Sequence, residues 1–270
     1  MGSGRPPVGF SALYRVRFDE ADASGALRAS AHLRYVQDIA WRHSTAAGFD
    51  MAWYASQNRF WLVRYLELWV LAPVPYGGEV EVSTEVVITR RAWARRVSEF
   101  HLPGGQLAAT ARVDWIMTNG QGSAARIPAA MAAAFPVTAP GDSPGRVQLA
   151  DSPVETAPAV TAVVRRSELD PMGHMNNAAY LDHLEEAVDV AGGTALLDSR
   201  PRRYRLEFLA PAGPRESLTG KVSEIPNGWA YRLAGEAGTV LFRGVLDHPG
   251  EGAASVTERT EAGADEPGRG

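Results

Sequence analysis

A chain of 270 residues with 45% hydrophobic content can build one large or two ordinary domains with real cores. Its net charge of −4, from 27 basic and 31 acidic residues, gives no reason to expect nucleic acid or an anionic membrane as the main partner. The lack of cysteine excludes disulfides, thiolate nucleophiles and cysteine metal sites.

The chain opens on a Gly/Pro-rich stretch, residues 1–10, without an apolar signal region, and no apolar run approaches the ~18 residues of a membrane span. A soluble cytoplasmic protein is expected. Asp22-Ala-Ser-Gly25 then precedes a helix whose apolar stripe is Leu33, Val36 and Ala40, spaced i, i+3, i+7. After it comes MAWYASQNRFW, whose Trp53, Tyr54, Phe60 and Trp61 either line a pocket or pack an ordinary core. EVEVSTEVVI alternates with period two and reads as a strand. RRVSEFHL and LAATARVDWIMT, bridged by Pro103-Gly104-Gly105, read as a hairpin. Arg90, Arg91, Arg95 and Arg96 cluster in TRRAWARRV, either as an anion contact or as charged gatekeepers of a strand edge.

Proline, glycine and small polar residues over 138–158 mark a linker, and beyond it the first half repeats. An offset of 148 positions carries Asp22 to Asp170, Gly25 to Gly173, Leu33 to Leu181, Val36 to Leu184, Gln37 to Glu185 and Ala40 to Val188. Ala72-Pro73 is answered by Ala210-Pro211 at an offset of 138, so the second half has a shorter helix-to-strand connection. WAYRLAGE and TVLFRGVLDH form its strand pair, and the polar stretch from 249 reads as a disordered tail. Each half is thus a short strand, a Gly-containing loop, one long helix and an antiparallel meander. Wrapping the sheet around the helix, and pairing two such sheets edge to edge, is the economical burial.

The string Asp170-x-x-Gly173-His174-x-Asn176-Asn177-x-x-Tyr180-Leu181, with its weaker first-half echo and the Pro75-Tyr76-Gly77-Gly78-Glu79 stretch, resembles the acyl-acyl carrier protein thioesterases. Behind them stand the broader 4-hydroxybenzoyl-CoA thioesterase-like enzymes. The resemblance covers most of residues 12–245 and implies an α+β tandem (double) hotdog, each half an antiparallel sheet wrapped around one long helix. The expected units are 11–137, an N-terminal hotdog domain; 138–158, a linker; 159–248, a C-terminal hotdog domain carrying the motif; and 249–270, the tail. Where that family usually has an Asn between the motif aspartate and histidine, this chain has Met172. Where it carries a Glu or Cys after the second helix, this chain reads Phe208-Leu209-Ala210-Pro211-Ala212.

The resemblance implies hydrolysis of an acyl-carrier-protein or acyl-CoA thioester by water, without cofactor or metal. Such chemistry needs a base or nucleophile, an oxyanion site and room for an acyl chain. Asp170 is the expected base or nucleophile, with His174 positioning or activating water. A helix N-terminus offers unpaired N–H groups to an oxyanion, and Gly173 permits close approach, so the Gly173–His174 amides are expected to face the carbonyl. Asn176 and Asn177 are expected to hold the loop and cap the helix, and Glu185 to support from within. Each has a plainer reading: Asp-Pro initiates turns, histidines sit in loops and Asn caps helices. The aromatic stretch is the candidate acyl pocket, and the arginine cluster the candidate contact for carrier protein or CoA phosphates. Partners are the carrier protein or CoA thioester, with no nucleic acid or membrane, in a monomer or homodimer. Two rivals stay open: a hotdog dehydratase acting on 3-hydroxyacyl thioesters, and a non-catalytic acyl-thioester-binding accessory protein.

Overall fold

Each half begins with a strand and a loop that deliver the chain to a long helix. In the computed structural model, which describes residues 9–135, 137, 149 and 157–249, strand β1 (Gly9–Arg15) leads to helix α1 (Ala29–Ala46). In the second half β6 (Ala159–Val163) leads to α4 (Asn177–Val190). Most of the expected linker, and the tail from 250, lie outside the described residues.

The helices form where the apolar stripe was read. Leu33, Val36, Ile39 and Ala40 of α1 are buried, as are Leu181, Leu184, Ala187 and Val188 of α4. The shortening of the second half starts in the helix itself, 18 residues in α1 against 14 in α4. α4 lies so close to its sheet that a Cβ on Gly244 would meet a Leu184 methyl at 2.2 Å. MAWYASQ, read only as an aromatic stretch, is a helix, α2 (Met51–Gln57). Its start is fixed by Asp50, whose carboxylate accepts from the Trp53 N–H at 2.8 Å, and its end by Asn58 at φ +48°.

The remaining first-half elements are β2 (Phe60–Val70), β3 (Glu79–Arg90), β4 (Trp93–His101), β5 (Leu107–Thr118) and a short α3 (Ala129–Ala134). The second half adds α5 (Thr194–Asp198), β7 (Arg202–Phe208), β8 (Ser217–Ile225), β9 (Gly228–Ala234) and β10 (Val240–Asp247). Period-two alternation places Val80, Val82, Val86 and Ile88 of β3, and Ala94, Arg96, Ser98 and Phe100 of β4, on the buried side.

All ten strands among the described residues join one antiparallel sheet in the order β1-β3-β4-β5-β2-β7-β10-β9-β8-β6. Read outward from its centre, the first half runs β2-β5-β4-β3-β1 and the second β7-β10-β9-β8-β6, the same path twice. The halves join through β2 and β7, with Leu66 opposite Leu206 and Leu68 opposite Tyr204. α1 and α4 pack against each other and against their own sheets. The arginines of β7 are held within the sheet: Arg203 and Arg205 both bond Asp247, and Arg202 is 3% exposed.

Candidate functional site

Residues 169–176 fold into a closed loop on the N-terminus of α4. Backbone bonds from Asp170 N to His174 O (2.8 Å) and Gly173 N to Asp170 O (3.0 Å) tie its neck. The Asp170 carboxylate turns inward, and its Oδ1 accepts from the N–H groups of Met172 (2.8 Å) and His174 (3.3 Å). Gly173 sits at φ +81°, which a side chain would strain. The first half builds the same turn: Asp22 Oδ1 accepts from Ser24 N (2.9 Å) and Ala26 N (3.1 Å), with Gly25 at φ +80°. This is Asx-turn chemistry, used twice.

The turn corrects the expected oxyanion donors. The amides of Gly173 and His174 are spent inside the loop, and those of Met175 and Asn176 go to Ala212 O and Glu168 O. Asn176 caps α4, its Oδ1 accepting from Ala178 N at 2.9 Å. Asn177 has no acceptor for its backbone N–H and no bond from its side chain among the described residues. Asp170 keeps Oδ2 outside these bonds. The His174 imidazole is exposed and unbonded among the described residues.

A cavity of about 550 Å³ opens against this loop. Pro171 and Met172 line it, so Met172 stands at the mouth, 49% exposed. Gln37, Trp41 and Ser44 of α1 form one wall, β2 to β5 another, and α2 and α3 cover the rest. Of the aromatic candidates, Tyr54, Phe60 and Trp61 line the cavity, with the Trp61 indole N–H bonded to the Tyr54 hydroxyl at 3.1 Å. Trp53 is not on its surface; it packs on Phe49, ring centroids 4.7 Å apart.

The arginine cluster divides. Arg95 holds Asp114 with two bonds of 2.6 and 2.7 Å on one face of β4, and Arg96 is buried on the other, so neither is a surface phosphate contact. Arg90 and Arg91 stay exposed at the β3–β4 turn, next to the cavity residue Thr89. Glu185 is also corrected: it accepts from the Tyr204 hydroxyl on β7 and lies 3.8 Å from Arg202, far along α4 from the loop. Burial pushes its carboxyl up, against the Tyr204 bond and Arg202.

Gln37 was missed as a site residue. It lines the cavity, as Met172 does, and its amide has no hydrogen-bond partner among the described residues. The signal was present in the repeat, which pairs Gln37 with Glu185.

The family profile for the acyl-ACP thioesterase N-terminal domain matches residues 7–134, and that for the C-terminal domain residues 152–226. No curated protein matches the sequence significantly. Among solved structures, an acyl-ACP thioesterase from Bacteroides thetaiotaomicron superposes with a TM-score of 0.74 at 18% identity, over 89% of this chain and 97% of that one. A 12:0-ACP thioesterase from Umbellularia californica gives 0.75 at 16% identity, over 90% and 98%. A putative oleoyl thioesterase from Lactobacillus plantarum gives 0.72 at 17%, over 89% and 97%. At these identities the likeness is one of fold.

Proposed function

Because the chain belongs to the acyl-ACP thioesterase family and is a thioester hydrolase, we propose that it cleaves acyl-carrier-protein thioesters where its cavity meets the 170–177 loop. One observation carries this reading: an apolar cavity of about 550 Å³, within the usual size of a small-ligand site, opens beside the N-terminus of α4. The acyl chain enters the cavity and leaves the thioester carbonyl near Pro171 and Met172. The unused Asn177 N–H and the positive end of α4 stabilise the oxyanion.

Asp170 is pinned through Oδ1 and presents Oδ2. It either takes a proton from the attacking water or attacks the carbonyl itself, giving an anhydride that water then opens. Both routes consume one water and give one acid and one thiol. His174 holds or activates that water. Gln37 offers at the mouth the carboxamide that the loop lacks at Met172. Arg90 and Arg91, exposed beside Thr89, are the part of the basic cluster left to meet an acidic carrier protein or a phosphate.

The repeated strand path supports reading 11–137 and 159–248 as two hotdog units joined by 138–158, a tandem hotdog. The β2–β7 seam supplies within one chain the edge pairing that a dimer would otherwise provide, which supports a monomer. No described helix is long and apolar enough to cross a membrane. The test is thiol release from a panel of acyl-carrier-protein and acyl-CoA thioesters. Release from carrier-protein substrates is expected. Exclusive use of CoA, or loss of water from a 3-hydroxyacyl chain without thiol release, would overturn the reading.

A further inference from the structure

A buried cation lines the cavity. The buried lining residues, Tyr54, Ala94, Arg96 and Phe135 among them, are its floor, and Trp41, Met51 and Met172 are among its exposed ones. Arg96 is 7% exposed. Its Nη1 bonds His43 Nδ1 at 3.0 Å, its Nη2 reaches Ser44 Oγ at 3.5 Å, and its guanidinium lies 5.4 Å from the Phe135 ring centroid. None of these partners carries negative charge. Burial, and then the neighbouring guanidinium, push the His43 imidazole down to about 4, so it stays neutral. Among the described residues no carboxylate pairs with Arg96, and burial pulls the guanidinium down to about 10.

Buried charges are ordinarily paired. Its two bonded neighbours, His43 and Ser44, are neutral acceptors, and the indole N–H of Trp115, another lining residue, has no acceptor among the described residues. An anion with several oxygen acceptors matches the chemistry of this floor. Along α1 the cavity lining runs from Gln37 to Ser44 beside Arg96, seven residues or about 10 Å. We propose, resting on the reading of this cavity as the acyl pocket, that the acyl chain carries a carboxylate at its far end. The substrate class is medium-length ω-carboxyacyl thioesters, and Arg96 is the residue that selects them.

The experiment compares kcat/KM for two thioesters of the same thiol, octanoyl and 7-carboxyheptanoyl. The wild type should favour the carboxylated chain by at least about tenfold, the worth of a charge-assisted bond. Arg96→Met should reverse that order, and Arg96→Lys, which keeps charge without the planar fork, should fall between them. A wild-type preference for the methyl-ended chain overturns the proposal without any variant, so a misfolded variant cannot shield it. An unchanged ratio in Arg96→Met also overturns it, leaving Arg96 as a clamp on the end of α1. Calorimetric binding of the two chains as primary amides, which need no turnover, separates the two readings. If neither thioester is cleaved the hydrolase reading fails, while tighter binding of the carboxylated amide still supports the anion-binding floor.

Discussion

Arg34 on α1 and Asp182 on α4 are equivalent positions of the two repeats, and they pair with each other, Nη2 to Oδ2 at 3.3 Å. Equivalent residues meet only where the helices cross at a local two-fold axis. Beyond that crossing, each helix runs toward the motif loop of the other half. Gln37, one turn past Arg34, lines the same cavity as Pro171 and Met172. Glu185, one turn past Asp182, comes close enough to Asp22 for that charge to add to the upward push of burial on its carboxyl. The pair itself is exposed and contributes little stability. Its worth is as a marker of register.

That crossing makes Gln37 a test of the site. A carboxamide at the mouth, free of protein partners, is available to the thioester carbonyl or the attacking water. Gln37→Leu should lower kcat by about one to two orders of magnitude, as removal of one oriented donor does, with a smaller change in KM. Steady-state kinetics on one acyl-carrier-protein substrate checks it. A KM effect with kcat intact would make Gln37 part of the pocket wall only.

The twin turns at Asp22 and Asp170 provide an internal control. Both carboxylates accept backbone N–H bonds, so changing either to Asn perturbs the same kind of loop. Asp170→Asn should cost about 10²–10⁴-fold in turnover. Asp22→Asn should leave turnover within about threefold, with a similar small shift in Tm for both. Equal losses of activity would mean that the two aspartates only shape their loops and that neither acts on the thioester.

What the sequence made legible follows from periodicity. Val80, Val82, Val86 and Ile88 of β3, or Leu181, Leu184 and Val188 of α4, declare their buried faces because burial repeats with the geometry of the element. The same geometry defeats reasoning by proximity. Arg95 and Arg96 are adjacent in sequence, yet on a strand they point to opposite faces, one to Asp114 and one into the cavity. The Gly173 and His174 amides failed as oxyanion donors because the Asp170 carboxylate competes for the latter, and the Asp170 carbonyl takes the former. Glu185 was expected to support the site from within, and it lies on the inward face of α4 against Tyr204 of β7. Helical periodicity gives the side and says nothing of which loop the far turn meets. That Gln37 and Met172 line one cavity depends on the helix crossing, which no local pattern encodes.

Two buried imidazoles set a pH dependence. Burial, the larger cause in each, pushes His32 and His43 down to about 4. Between pH 6.5 and 4 the unfolded chain takes up protons that the folded one refuses. Stability is therefore full above about 6.5 and falls as pH drops through that window. At pH 5.5 the loss should be about 1 kcal/mol per histidine. His43→Asn keeps an acceptor for Arg96 and removes one proton site. Its loss of stability between pH 7.5 and 5.5, from denaturant titrations, should be smaller than that of the wild type by about that amount. Identical losses would place His43 in contact with solvent protons while folded.

Ala94 tests whether the cavity sets chain length. It lies on the floor, 8% exposed, on the same face of β4 as Arg96 and paired across the ladder with Trp115. A larger side chain there projects into open volume, which the cavity supplies without the overpacking cost of a dense core. Ala94→Phe should therefore fold, with Tm shifted by only a few degrees. It should lower kcat/KM at least about tenfold for the longest chain the wild type accepts, since a displaced chain loses its apolar burial. Butyryl substrates, too short to reach the floor, should change by less than about threefold. Rates that fall equally for every chain length would mean that the acyl group does not occupy this cavity.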